Sequence, residues 1–386
     1  MPLSELAAEL AQHASRGLTR RRRTLAGPQR PRAIVDGVPV LSFCSNDYLG
    51  LAADPGLIAA AQEGVARYGV GAGASRLVLG HTTAHEALED TLAQFVRLPR
   101  ALLFSSGYLA NMAMITALAG RDDAIFADKL NHASLNDAAL LSRATLRRYA
   151  HADLDALEEM LKSTRARRRL IVSDAVFSMD GDLADVPRLV ELSERYGAWL
   201  VLDDAHGFGV LGAGGRGTLA HFDASHERIV YMATLGKAAG VSGAFVAGAP
   251  EVIETLMQRG RAYIYTTAAP AALAHTLLAS ISIIGEQHWR RERLHSLIDQ
   301  LGTSLTGLRW PLMRSPTPIQ PLLVGDNVEA VGLAAALAHR GLMVPAIRPP
   351  TVPAGTARLR ISLSAAHEPG DVTRLARALH DISGCS

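Results

Sequence analysis

Two stretches decide the fold: Trp199-Leu-Val-Leu-Asp-Asp-Ala-His206 and Ile229-Val-Tyr-Met-Ala-Thr-Leu-Gly-Lys237. Each is an unbroken apolar run of strand length that ends in polar residues. An alternating pattern would mark a strand with one wet face, whereas a continuous run marks one covered on both faces, as in a parallel sheet. Outward from this pair the same unit recurs. Ala101–Phe104, Ala124–Phe126 and Leu170–Val172 read as strands, followed by helical patterns over Tyr108–Leu118, Ser134–Ser142 and Val186–Tyr196. Ala244–Val246 reads as one more strand. Strands alternating with helices predict an α/β fold with a mostly parallel sheet flanked by helices. In such sheets ligands bind at the carboxyl ends of the strands.

After residue 250 the texture changes to long helical patterns up to about residue 310. A shorter α/β region follows, with Pro321–Val324 and Arg358–Ile361 as strands and Val328–His339 as a helix. The expected organisation is an N-terminal helix and arm over 1–45, a large domain over 46–285 and a small C-terminal domain over 286–386, with the arm packed on the small domain. Leu3, Leu6, Ala7 and Leu10 fall at helical spacing, and Arg20 to Arg23 follow. The N-terminus carries acid where a secretory signal carries base. Pro270 and His275 interrupt the most apolar stretch, Ala268–Gly285, which reads as a buried helix and not a membrane span.

The 386 residues carry a net charge of +2, too balanced for a nucleic-acid-binding protein. Cys44 and Cys385 alone make neither a disulfide framework nor a zinc ligand set, which indicates a reducing, cytoplasmic setting, and no metal is implied. The glycine cluster Gly69–Gly73 follows a helical pattern where a dinucleotide loop requires a strand, so it reads as a tight turn near a ligand or subunit contact. Gly212–Gly217 reads as a flexible loop.

Of 39 basic residues only three are lysines: Lys129, Lys162 and Lys237. Lys129 and Lys162 sit in ordinary polar contexts, but Lys237 follows a strand and is flanked by small residues. A buried lysine loses its ammonium solvation and becomes a nucleophilic amine. Asp203 lies at the end of another strand. Pyridoxal phosphate requires this pair: a lysine for the Schiff base and a carboxylate to keep the pyridine nitrogen protonated. Ser105-Ser-Gly107-Tyr108, between strand and helix, offers backbone N–H groups to a phosphate, and Ser178 and Thr234 are further hydroxyls at strand ends.

Five segments in order carry a resemblance: Phe43-Cys-Ser-Asn-Asp-Tyr-Leu-Gly50, Asn131-His-Ala-Ser134, Phe177-Ser-Met-Asp-Gly-Asp182, Asp203-Asp-Ala-His206-Gly and Thr234-Leu-Gly-Lys237. Over roughly residues 18–380 the chain resembles the α-oxoamine synthases among the fold-type I pyridoxal-phosphate transferases. The resemblance implies that Lys237 carries the cofactor and acts as the acid–base group, Asp203 pairs with the ring nitrogen, His132 stacks on the ring, and His206 bonds the ring hydroxyl. Gly107, Tyr108, Ser178 and Thr234 would hold the cofactor, largely near its phosphate. Thr266 or Thr267 would reach the phosphate of a second subunit, giving a homodimer with shared sites. Asn46 and Arg360 would meet the amino acid, the latter because a guanidinium binds a carboxylate bidentately. Arg20, Arg348 and Thr351 would face the acyl substrate. Ala239 and Phe208 depart from the family's usual residues, a larger apolar and a smaller one respectively.

Ala346-Ile-Arg-Pro-Pro-Thr-Val-Pro353 resembles most closely the branch that condenses L-alanine with pimeloyl-CoA or pimeloyl-acyl carrier protein in biotin synthesis. The alternatives are a sister activity such as glycine acetyl transfer, a pyridoxal-phosphate aminotransferase, or a binding protein without catalysis.

Overall fold

The structure is a computed structural model that describes residues 3–15, 19 and 21–384. It opens with helix α1 (Leu3–Ser15), none of whose residues is buried. The meander of β1 (Leu25–Ala26), β2 (Arg32–Val35) and β3 (Val38–Ser42) follows. Helices α2 (Pro55–Tyr68) and α3 (Thr83–Val96) lead to β4 (Arg100–Phe104) and α4 (Gly107–Leu118). Next come β5 (Ala124–Asp128), α5 (Ala133–Ser142), β6 (Thr145–Tyr149), α6 (Leu154–Ser163), β7 (Arg169–Asp174), α7 (Val186–Tyr196), β8 (Trp199–Asp203), β9 (Ile229–Thr234) and β10 (Ala244–Gly248).

The last seven strands form one sheet in the order β4-β10-β9-β8-β7-β5-β6. All pairs are parallel except those of β10, which runs antiparallel to both β9 and β4. The reversal makes residues 235–243 a short connection at one end of the sheet, and this connection carries Lys237. β5, β8 and β10 are buried at nearly every position, as their unbroken apolar runs require. Alternate residues serve opposite faces. Phe126, Ile171 and Leu202 join α2, α3 and the helix Ala271–Glu286 in one core, while Ile125, Val172 and Val201 join α4 and α5 in the other. The apolar stretch at 268–285 thus packs into the core of the fold. Among the described residues no helix is long and apolar enough to cross a membrane.

Beyond residue 310, β11 (Ile319–Gly325), β12 (Leu342–Met343), β13 (Ala346–Ile347) and β14 (Ala357–Ser362) complete the strands. β11, β14 and β13 form a small antiparallel sheet. β12 pairs in parallel with β3, which ties the start of the chain to its last quarter. Phe43 extends this tie by accepting the Ser362 N–H at 2.9 Å.

Two features differ from the sequence expectation. β6 lacks an apolar run because it is an edge strand, and its Arg147 and Arg148 face solvent. The glycine-rich 212–217 segment packs tightly: a Cβ at Gly217 would lie 2.3 Å from Asp204 Oδ2 and 2.4 Å from the Tyr231 hydroxyl. Phe208 and Ala239 sit in the core, Phe208 edge-on to Phe95 and Phe245 with ring centroids 5.6 and 5.3 Å away.

Candidate active site

Asp174, Asp203 and Thr234 are the terminal residues of β7, β8 and β9, and the register sets Asp174 beside Asp203. A cavity of about 200 Å³ opens at this carboxyl edge. It brings together eight of the expected residues: Gly107, Tyr108, His132, Ser178, Asp203, His206, Thr234 and Lys237. Gly107 and Tyr108 open α4, whose first-turn N–H groups have no intrahelical acceptor and point their partial positive charge outward. Thr234 Oγ1 donates to the Gly243 carbonyl at 3.0 Å and receives the Gly236 N–H at 3.3 Å, which fixes the Lys237 connection. His132 caps α5: its ring Nδ1 lies 2.7 Å from Ser134 Oγ, and its N–H donates to Asp174 at 2.6 Å.

A hydrogen-bonded chain crosses the site. Lys237 Nζ lies 2.7 Å from His206 Nε2, and His206 Nδ1 lies 2.7 Å from the Tyr48 hydroxyl. Tyr48 donates to Asn46 Oδ1 at 3.1 Å, and Arg360 reaches the same oxygen through Nη1 and Nη2, each at 3.3 Å. Arg360 is anchored by donating to the Ser178 carbonyl at 2.6 Å and to Ser362 Oγ at 2.7 Å. Burial pulls the Lys237 ammonium down to about 8, against the upward pull of Asp203 and Asp174. Burial, and then the Lys237 charge, push His206 well below its usual range, so its imidazole is neutral. A lysine donating to Nε2 therefore leaves the ring proton on Nδ1, facing Tyr48. Burial, and then the Asp203 charge, push the Asp174 carboxyl well above the usual carboxylate range.

The structure adds residues that the sequence reading did not single out. Asn111 donates to Asp203 Oδ2 at 2.7 Å and to Ser134 Oγ at 2.8 Å. It is the only amide in α4, one turn past Gly107, and that was its signal in the sequence. Tyr48 was visible only as part of the Phe43–Gly50 motif, and Asp174 lay in none of the motifs.

Thr351 lines a second, larger cleft that meets the first cavity at His132 and Ser178. The Arg348 carbonyl accepts the Thr351 N–H at 3.0 Å, which places Arg348 in the turn behind that wall. Thr266 and Thr267 are not in the first cavity; they line a separate small pocket with Ser105 and Leu235. Around them Val70, Val78, Leu79 and Tyr265 are exposed. Gly69–Gly73 follows α2 as irregular backbone with a bend at Val70 and positive φ at Gly69 and Gly73, where the sequence predicts a tight turn. Arg20 lies outside the described residues, as does Cys385. The arginine-rich stretch 165–169 runs into the start of β7, at the opposite end of the sheet from the cavity.

The donor set fits pyridoxal phosphate. It offers a depressed amine, a buried carboxylate and a helix N-terminus around one cavity, and a buried acceptor on its wall, Asn111 Oδ1, has no protein partner. Comparison with known proteins agrees. The family model described as aminotransferase class I and II matches residues 38–379. The chain is 61% identical over 386 residues to an 8-amino-7-oxononanoate synthase of Nitrosomonas europaea, covering 99% of this chain and 100% of that protein. A serine palmitoyltransferase from S. paucimobilis with bound PLP and myriocin superposes with a TM-score of 0.92 at 28% identity, covering 99% and 98% of the two chains. An 8-amino-7-oxononanoate synthase from Francisella tularensis superposes at 0.79 and 30% identity, covering 90% and 98%. The cofactor is accordingly pyridoxal phosphate, and the chain belongs to the class I and II aminotransferase family, within its 8-amino-7-oxononanoate synthase group.

Proposed function

We propose that this chain condenses L-alanine with a pimeloyl thioester, borne by coenzyme A or an acyl carrier protein, releasing CO2 and the free thiol and giving 8-amino-7-oxononanoate. One observation carries this reading. The buried Arg360 guanidinium has no ion-pair partner among the described residues, yet a continuous chain of hydrogen bonds joins it to the Lys237 amine. An unpaired buried cation is costly. The carboxylate of an amino acid would pair with it while the amino group lies toward Lys237, as the α-carbon chemistry requires.

When bound, pyridoxal phosphate supplies an aldehyde for amines and a ring that withdraws electrons from the substrate α-carbon. Lys237 would hold the aldehyde and then, as a free amine, take the α-proton at Nζ. Its pKa of about 8 suits both roles near neutral pH. Asp203 would hold a proton at the ring nitrogen, with Asn111 fixing the carboxylate. The neutral His206 would meet the ring hydroxyl and His132 the ring face. The α4 N-terminus, Ser178 and Thr234 would hold the phosphate end. Arg360 and Asn46 would orient the amino acid, and Thr351 and Arg348 would stand along the acyl path. The exposed apolar residues around Thr266 and Thr267 support a homodimer, in which one of these threonines reaches the partner's phosphate.

The test follows the visible absorption of the purified protein and its release of CO2. L-Alanine should shift the absorption, and CO2 should appear only after pimeloyl-CoA is added. CO2 release from alanine alone, or conversion of the cofactor to its amine by alanine alone, overturns the reading.

A further inference from the structure

The proposed chemistry uses only Ser178 of the segment Phe177–Asp182, yet the whole segment is tied down on two sides. It closes on itself, the Phe177 carbonyl accepting the Gly181 N–H at 2.8 Å and the Asp182 carbonyl accepting the Phe177 N–H at 3.0 Å. On one side it meets β14 and the stretch before β11. The Ser178 carbonyl accepts Arg360 Nε at 2.6 Å, Asp180 pairs with Arg358, and the Gly181 carbonyl accepts the Ser315 hydroxyl at 2.6 Å. On the other side it is held by His151, two residues past β6. His151 Nε2 lies 2.8 Å from Asp182 Oδ2, and Nδ1 lies 3.2 and 3.1 Å from the two oxygens of Asp128, the terminal residue of β5. The Phe177 ring stands edge-on to the imidazole, with centroids 4.4 Å apart.

A neutral imidazole donates from one nitrogen only, so a carboxylate at each nitrogen requires the charged ring. The hydrogen bonds to Asp128 and Asp182 raise His151 to about 10, against the effect of burial. Burial alone would raise the Asp128 carboxyl, but the bonds from His151 and the Ala152 N–H outweigh it. Asp128 is itself buried, so the bridge is anchored in the sheet by charge-assisted bonds, the stronger kind. His151 lines neither the reacting cavity nor the cleft beside it. What it can reach is Arg360, whose Nε is aimed by the Ser178 carbonyl and whose fork must point one way to meet a carboxylate. Resting on the proposed role of Arg360 as carboxylate receptor, we infer that His151 is a positioning residue for the amino acid. By bridging Asp128 and Asp182 it fixes the Ser178 carbonyl, and through that carbonyl the Arg360 guanidinium.

Two variants test this. His151→Gln breaks the bridge at its centre. Asp182→Ala removes only the end on the segment and leaves the buried Asp128 paired, so it decides the matter if the first variant does not fold. The visible absorption of the cofactor-loaded enzyme is titrated with L-alanine and with ethylamine, which has no carboxylate. Both variants should raise the Kd ratio of L-alanine to ethylamine by roughly 10-fold. KM for L-alanine should rise likewise while kcat at saturation stays unchanged, because the lost contact is made equally before and during the reaction. A merely structural role moves both ligands together, so an equal change for the two, or no change, overturns the inference. Arg360→Lys is titrated in parallel. If it raises the ratio and the two variants do not, only this inference falls. If it leaves the ratio unchanged, the functional reading of Arg360 falls and takes this inference with it.

Discussion

The two ends of the seven-stranded sheet are both rich in charge and put it to opposite use. At the amino end, Asp123 collects Arg167 Nε and Nη2 at 3.1 and 2.9 Å and the N–H groups of Arg168 and Gly120. Burial alone would raise this carboxyl, but the Arg167 guanidinium and the Gly120 N–H outweigh it and hold it below the usual range. At the carboxyl end, Lys237, Asp174 and His206 are all pushed toward their neutral forms, burial being the largest cause in each. Full pairing makes a charge inert and structural. Incomplete pairing under burial leaves groups whose charge changes at little cost, which is what proton transfer requires.

Substitutions at each end should separate these roles. Lys237→Ala should lower turnover by about 10⁴-fold, the upper end of what a positioned acid–base group contributes, with circular dichroism unchanged. Asp203→Asn should cost about 10²-fold or more in kcat, since the carboxylate acts on the reacting ring; an unchanged kcat would remove Asp203 from the machinery. Arg360→Lys should raise KM for L-alanine by roughly 10- to 100-fold, because an ammonium cannot replace the forked guanidinium. The rate at which cofactor-free protein takes up pyridoxal phosphate should rise with pH to a plateau, with its midpoint at about 8, because only the neutral Lys237 amine reacts. The smallest effect belongs to the other end: Arg167→Ala should leave kcat/KM within about twofold of wild type. There the depressed Asp123 contributes stability above the usual carboxylate range that is lost as acidification protonates it. Acid-denaturation curves of the variant should lose that component.

The central strands were legible because burial on both faces leaves an unbroken apolar run, as in Trp199–Leu202. Periodicity carries no direction, so the reversal of β10 could not be read, and a solvated edge strand such as β6 has no apolar signature. Lys237 stood out because lysine is scarce in this chain. Asp174 acts through a neighbour that sheet register sets opposite it, Asp203, and no local pattern encodes that.

The contact between Asn46 and Arg360, 314 positions apart, also fixes an order of events during protein synthesis. Every residue proposed to hold the cofactor within its own subunit lies at or before Lys237, and β10, which joins β4 to β9 and closes the Lys237 connection, ends at Gly248, so that part of the cavity can form while the chain is still being made. Arg360 emerges roughly 120 residues later, a delay of roughly 6–25 s at ~5–20 residues per second. A chain at that stage would hold its reactive amine but lack the carboxylate receptor, and would be able to take up an aldehyde before it could select an amino acid. With Arg360 as the proposed carboxylate receptor, selectivity for the amino acid is the last property to be acquired, and truncation before Arg360 should remove it first.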